Sequence, residues 1–100
     1  MVQMEQKDGA LWAHLNGDID HHNARRMREE IDMETEQLCP KELWLDFRGV
    51  TFMDSSGIGL VMGRYKLMQS LGGELRVTGM SAHIKRVMVL AGLDKLAVIE

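Results

Sequence analysis

The sequence of 100 residues contains a single cysteine, Cys39, and a single proline, Pro40. One cysteine excludes an internal disulfide, which makes a reducing cytoplasm the expected compartment. It also leaves no metal-ligand spacing, because His21 and His22 are adjacent rather than four residues apart on a helix face. We therefore expect neither a metal site nor another bound cofactor.

Long apolar runs and an excess of one charge are also missing. No run approaches the ~20 apolar residues that a membrane-spanning helix requires, and strand-like alternation from Val2 onward predicts that no signal peptide precedes the fold. The formal net charge is −3. Because there is no basic arm, neither DNA nor an anionic membrane is an expected partner. With 45% hydrophobic residues, the composition predicts one soluble domain over residues 1–100.

The first third of the chain predicts a β-hairpin followed by a helix. Apolar and polar residues alternate over residues 2–6 and 10–16, which is the period of half-buried strands, and an Asp-Gly pair between them suits a tight turn. Asp20 or Asn23 then offers a helix cap, and an apolar stripe continues the helix to about Leu38.

The rest of the chain alternates strands with helices. Residues 43–47, 74–78 and 96–99 have the pattern of strands, and helices are expected over about 56–71 and 81–91. The resulting order, ββαβαβαβ, is typical of an α/β fold. Its mixed sheet would be antiparallel at the opening hairpin and parallel afterwards, with the parallel core strands packed by helices.

The stretch that joins the third strand to the second helix concentrates polar groups where that helix begins. Asp54, Ser55 and Ser56 all suit a helix N-terminus, because their side-chain oxygens can accept hydrogen bonds from its first free N–H groups. We assign the cap mainly to Ser56 and the backbone. Since the carboxyl ends of successive parallel strands meet at one edge, Asp20 should lie beside Asp54 and Ser55.

Catalysis is disfavoured at this stretch. A serine hydrolase elbow needs a glycine two residues before the serine, where Met53 and Asp54 stand instead. Gly57, Gly59 and Gly63 fail the strict dinucleotide spacing, so a nucleotide phosphate at the helix N-terminus is a weaker alternative. Close helix packing is the preferred interpretation of the latter two glycines. We therefore do not expect an enzyme.

A serine at this helix start can instead carry an anionic group. A phosphate on Ser55 would add about −1.5 to −2 charges at pH 7. The helix N–H groups would favour this charge, whereas Asp20 and Asp54 would oppose it. The surface would become strongly negative without refolding, which is enough to eject a protein partner that buries it.

Three segments resemble the anti-sigma factor antagonists of the STAS domain family. They are Phe-Met-Asp-Ser-Ser-Gly-Ile-Gly at residues 52–59 with Gly-Arg-Tyr-Lys at 63–66, Gly-Asp-Ile-Asp-His-His-Asn-Ala at 17–24, and Lys-Arg at 85–86 with Ala-Gly-Leu at 91–93. The resemblance covers nearly the whole chain and implies the STAS fold. Met-Asp-Ser-Ser-Gly together with Asp-His-His resembles the sporulation members in particular.

The resemblance implies a partner-switching role. The unphosphorylated protein would bind an anti-sigma factor that is also a serine kinase, with bound ADP or ATP, and would thereby free the sigma factor. Phosphorylation of Ser55 by that kinase would end the binding, and a serine phosphatase would restore it. The implied partner-binding residues are Asp20, His21, Asp54, Ser55, Ser56, Gly57 and Ile58.

Two further expectations come from the same resemblance. A STAS module of a stress-response or transporter system is the alternative within the family. The family also commonly adds a helix after the last strand, and a chain that stops at Glu100 would lack it.

Overall fold

A computed structural model describes residues 2–100 and opens with the expected hairpin. Strand β1 spans Val2–Lys7 and pairs antiparallel with β2, Ala10–Ile19. The turn residues Asp8 and Gly9 have φ angles of 53° and 81°. Positive φ at both positions is the geometry of a type I′ turn, whose twist matches that of the two strands.

Helices and parallel strands alternate through the rest of the chain. The elements are α1 (His21–Leu38), β3 (Glu42–Met53), α2 (Ser55–Ser70), β4 (Glu74–Thr78), α3 (Ala82–Leu90), a 3₁₀ turn (Leu93–Lys95) and β5 (Val98–Ile99). The sheet order is β1-β2-β3-β4-β5, and every pair after the hairpin is parallel. The predicted order ββαβαβαβ and the mixed sheet are confirmed. In the part of the chain that the structure describes, no helix combines the length and hydropathy needed to cross a membrane.

Three strands differ by more than one residue from the sequence prediction. The second strand was expected over residues 10–16, but it continues to Ile19. The third strand was expected to end at residue 47, but it continues to Met53. Val50, Thr51 and Phe52 are β-branched or aromatic, and β3 keeps pairing with β2 across two register shifts. The last strand is shorter than expected, because Leu96 has helical dihedral angles after the 3₁₀ turn and only Val98–Ile99 joins the sheet.

One face of the sheet forms the hydrophobic core. The alternate residues of β2, β3 and β4 that face it, and the apolar residues of the three helices that pack with them, are at most 5% exposed. Examples from the strands are Leu11, Ala13, Leu15, Leu43, Leu45, Phe47, Leu75 and Val77; examples from the helices are Met27, Ile31, Leu60, Val61, Met68, Ile84 and Met88. This burial fixes where the helices begin relative to the ends of the strands.

The opposite face of the sheet carries stacked rings and charged groups. Trp12 and Trp44 are paired across β2 and β3, with ring centroids 4.5 Å apart and planes within 5° of parallel. The Arg76 guanidinium lies 5.3 Å from the centre of the Trp44 ring. In the neighbouring row, His14 contacts Glu5 and Asp46.

Candidate functional site

The ends of β2 and β3 bring the predicted site residues together. Ile19 and Met53 are register partners, and the N–H of Asp54 donates to the carbonyl of Ile19 at 3.1 Å. Asp20 and Asp54 each follow one of these strands directly. The parallel pairing therefore places the starts of α1 and α2 side by side, as the strand order predicts.

Both helices begin with an aspartate cap, although the two carboxylates accept from different positions of the first turn. An Asp20 Oδ1 atom accepts a hydrogen bond from the N–H of Asn23 at 2.8 Å, and Asp54 Oδ1 accepts one from the N–H of Ser56 at 2.7 Å. The assignment of the second cap mainly to Ser56 is wrong, because Asp54 supplies the accepting oxygen and Ser56 the donor. A carboxylate at this position also interacts favourably with the positive end of the helix dipole.

Ser55 is the first residue of α2 and is exposed to solvent. Its hydroxyl makes no hydrogen bond to any residue that the structure describes. Ser56, the next residue, is half-buried. With Asp54 as the cap, the Ser55 side chain is not used to hold the helix and remains accessible to another protein.

Gly57 and Ile58 seat the first turn of α2 on the core. Gly57 is buried, and a Cβ atom there would lie 2.2 Å from Cγ of Met53. Ile58 is half-buried against the core. The close packing expected at Gly59 and Gly63 is wrong, because a Cβ atom at either position would meet nothing within 4 Å. The glycine that allows close approach is Gly57.

His21 lies at the start of α1 and contributes to a groove between α1 and α2. The groove has a volume of about 490 Å³ and runs beside Ser56. The residues that line it are His21, Ala24, Arg25, Arg28, Ser56, Gly59, Leu60 and Arg64. Three of these are arginines, although the whole chain is acidic.

Arg64 was not predicted to have a role at this site. It is only 5% exposed, and its Nε lies 2.8 Å from Oδ1 of Asp32 on α1. Burial raises the pKa of the Asp32 carboxyl, and the charge of Arg64 opposes that rise. The sequence did contain a signal, because Arg64 lies four residues from both Leu60 and Met68 and therefore on the buried stripe of α2.

The Ser55 hydroxyl is exposed, and no base among the described residues is hydrogen-bonded to it. Asp54, the carboxylate nearest in sequence to Ser55, is engaged as a cap. None of the contacts of the described residues pairs either serine hydroxyl with a histidine or another base. Within residues 2–100, no group of three His, Cys, Asp or Glu side chains is arranged to hold a metal ion.

Comparison with known proteins identifies similar chains along the whole length. A family model described as the STAS domain matches residues 1–100. The anti-sigma F factor antagonist of Paenibacillus polymyxa is 34% identical over 95 residues, which are 95% of this chain and 81% of that protein. The anti-sigma-B factor antagonist of Bacillus subtilis (strain 168) is 28% identical over 95 residues, covering 95% of this chain and 85% of that protein.

Solved structures of similar proteins have the same fold. The anti-sigma factor antagonist SpoIIAA in its unphosphorylated form superposes with a TM-score of 0.84 at 27% identity, covering 100% of this chain and 88% of that one. The phosphorylated form of the Bacillus cell fate determinant SpoIIAA gives a TM-score of 0.77 at 27% identity, covering 100% and 91%. That relative therefore exists in this fold both with and without a phosphate.

Proposed function

The chain belongs to the STAS domain family, and we propose that it acts as an anti-sigma factor antagonist in a sporulation pathway. Its partner is an anti-sigma factor that is also a serine kinase and carries ADP or ATP. The unphosphorylated chain binds this partner and frees the sigma factor. Phosphorylation of Ser55 ends the binding, and a serine phosphatase reverses the modification.

The accessible Ser55 hydroxyl is the observation that carries this proposal. Ser55 is exposed at the first position of α2, and the capping role falls to Asp54. In the transfer step, the Ser55 oxygen forms a bond to the γ-phosphorus of ATP as the bond to the β,γ-bridging oxygen breaks. ADP leaves, and the hydroxyl proton is lost to a base of the kinase or to water. This chain supplies only the acceptor, because the kinase holds the nucleotide.

The charge of the phosphate accounts for the loss of binding. A phosphoserine adds about −1.5 to −2 charges at pH 7. The nearby N-termini of α1 and α2 favour an anion, whereas the carboxylates of Asp20 and Asp54 repel it. The two helices are held by their caps and by the core, so the modification changes the surface rather than the fold.

Sporulation is favoured over a stress response by the degree of similarity. The anti-sigma F factor antagonist of Paenibacillus polymyxa is more similar to this chain, at 34% identity, than the anti-sigma-B factor antagonist of Bacillus subtilis, at 28%. Binding assays with anti-sigma factors of both kinds would distinguish these pathways. We expect tighter binding to the sporulation factor.

The direct test is phosphorylation by the sporulation anti-sigma factor with ATP. We expect one phosphate per chain, located on Ser55 by mass spectrometry of tryptic peptides, and none on Ser55→Ala. The adjacent Ser56→Ala is the matched control: it keeps the Ser55 hydroxyl and should still accept one phosphate, located on Ser55. A phosphate on Ser56 in the wild-type protein, or an unchanged rate for Ser55→Ala, would overturn the assignment.

A further inference from the structure

We propose that the groove between α1 and α2 binds an acidic segment of the anti-sigma factor, an inference that rests on the function proposed above. The segment would place aspartate or glutamate side chains against the arginines of the groove. This assigns the partner's chemistry to Arg25, Arg28 and Arg64, which are not among the predicted partner-binding residues, although His21 and Ser56 of the same groove are.

The charge of the groove is the first argument. Arg25, Arg28 and Arg64 line it together with His21, and no carboxylate among the described residues does so. The chain as a whole carries a formal charge of −3, so this concave surface is basic on an otherwise acidic molecule. Charge complementarity of this kind steers association and fixes the orientation of the partner.

The arginines of the groove are available to a partner to different degrees. The side chain of Arg25 is 75% exposed and meets Glu29 only at 3.9 Å, a surface pair too weak to neutralise it. Arg28 is also exposed and forms no ion pair within 4 Å with the described residues. Both can therefore turn toward a bound carboxylate.

Arg64 provides a fixed charge at the same surface. Its Nη2 donates a hydrogen bond to Oδ2 of Asp32 at 3.2 Å, and its Nε lies 2.8 Å from Oδ1 in an ion pair without hydrogen-bond geometry. Its buried Nη1 has no hydrogen-bond partner among the described residues. Because Arg64 is buried, its positive charge acts on a bound carboxylate through space rather than through a direct contact.

The groove is open to a polypeptide and reaches the start of α2 beside Ser55. Gly59 lies on its wall, and a Cβ atom there would meet nothing within 4 Å, so the helix surface is free of side chain at this point. Ser56 lines the groove, and Ser55 immediately precedes it. A phosphate on Ser55 would therefore stand beside the partner's acidic side chains and repel them directly.

Charge reversal on α1 tests the proposal. We expect the double variant Arg25→Glu with Arg28→Glu to bind the sporulation anti-sigma factor with ADP at least tenfold more weakly by isothermal titration calorimetry. Wild-type affinity should fall with added salt, and the double variant should lose most of that dependence. Far-UV circular dichroism should be unchanged, because both positions are exposed.

Arg26→Glu is the matched control. It makes the same charge change in the same helix, but Arg26 lies beside Glu29, Glu30 and Met33 and away from the groove. We expect its affinity to stay within twofold of wild type. Equal affinities for the double variant and this control would overturn the proposal.

Two further outcomes distinguish a failure of the groove proposal from a failure of the proposed function. Binding that Ser55→Asp abolishes and the double variant leaves intact would overturn the role of the groove and leave the proposed function standing. No binding by the wild-type chain would overturn the proposed function itself. If sedimentation showed a wild-type dimer that the double variant dissociates, the groove would be a contact between two copies, which also contradicts the proposal.

Discussion

At the scale of single residues, two roles at the start of α2 belong to two different side chains. Asp54 caps the helix, and Ser55 presents an exposed hydroxyl. Asp54 Oδ1 accepts from the N–H of Ser56, so the fold does not depend on the Ser55 side chain. If the serine itself capped the helix, its modification or replacement would lower the protein's free energy of unfolding by about 1 kcal/mol. Here the residue proposed to be phosphorylated can change while the cap stays in place.

This separation leads to an expectation for Ser55→Asp. The substitution adds a negative charge at the first position of α2, where the helix dipole tolerates or favours it. We expect an unchanged far-UV circular dichroism spectrum and weaker binding to the anti-sigma factor with ADP, measured by titration calorimetry. Ser55→Asn, similar in size and uncharged, is the control and should bind more tightly than Ser55→Asp. A variant that no longer folds would instead make Ser55 a structural residue.

Sequence patterns identified the polar residues of the site but could not assign their individual roles. Asp54 and Ser56 are both good capping residues, and only the backbone geometry decides which side chain accepts the hydrogen bond. Arg64 was missed for a different reason. Its role depends on Asp32, which is 32 residues away in sequence and meets it only because α1 and α2 pack together.

At the scale of the element, α2 combines one glycine that packing requires with two that it does not. Gly57 faces Met53 at the end of β3, whereas Gly59 and Gly63 face open space. The glycine spacing in the sequence predicted close approach at Gly59 and Gly63, whereas the structure has it at Gly57. The existence of the helix followed from its flanking cap and turn residues, but its rotation relative to β3 depends on tertiary contacts.

Alanine substitutions along α2 should therefore act in opposite directions. Gly63→Ala removes a glycine from a helix interior without a new contact, and we expect a gain of about 1 kcal/mol in the free energy of unfolding. Gly57→Ala places a Cβ atom against Met53 and should cost about 1–3 kcal/mol. Urea denaturation of the two variants measures both effects. Equal effects of the same sign would contradict this account of the packing.

The length of β3 likewise could not be predicted from its local sequence pattern. The apolar alternation that predicts a strand is clear over residues 43–47 and is then interrupted by Arg48 and Gly49. The strand nevertheless continues, because β2 shifts register between His14 and Asn16 and again between Gly17 and Asp18. Such irregularities in pairing allow a strand to continue past a break in its pattern, and they bring Asp54 level with Asp20.

At the scale of the whole molecule, a charged row ties three strands together on the face of the sheet opposite the core. His14 on β2 contacts Asp46 on β3 through Nδ1 and Glu5 on β1 through Nε2, both at 2.8 Å. Arg48 also binds Asp46, at 2.8 Å from Nη2 to Oδ2. The fold class and strand order could be predicted from the sequence, but this row could not, because it depends on which residues stand opposite each other across strands.

The protonation of His14 should make stability depend on pH. Hydrogen bonds to Glu5 and to Asp46 raise the pKa of His14 above 6.5, against a smaller lowering by burial. Burial raises the pKa of Asp46, but hydrogen bonds from Arg48 and His14 outweigh this and lower the pKa from 3.8 to about 2. Both shifts mean that the folded state favours the charged pair of imidazolium and carboxylate.

The sign of each contribution follows from the direction of the shift. A raised histidine pKa stabilises the fold fully below pH 6.5, and this contribution is lost as the pH rises through the folded-state value. A lowered aspartate pKa stabilises the fold above pH 3.8, and this contribution is lost as the pH falls toward about 2. Both contributions to stability are fully present between about pH 4 and 6.5. The charged groups around the His14 ring are Glu5, Asp46 and Arg48.

We therefore expect the free energy of unfolding, from urea titrations at a series of pH values, to decline above pH 6.5 in the wild-type protein. His14→Gln should be less stable at pH 5.5 and should lose most of that decline, because its neutral amide cannot gain a proton. His83→Gln is the control: His83 is exposed at the start of α3 and makes no ion pair with the described residues. Its pH profile should match that of wild type. If the decline persists in His14→Gln, the pH dependence comes from another titrating group and not from the His14 imidazolium that links β1, β2 and β3.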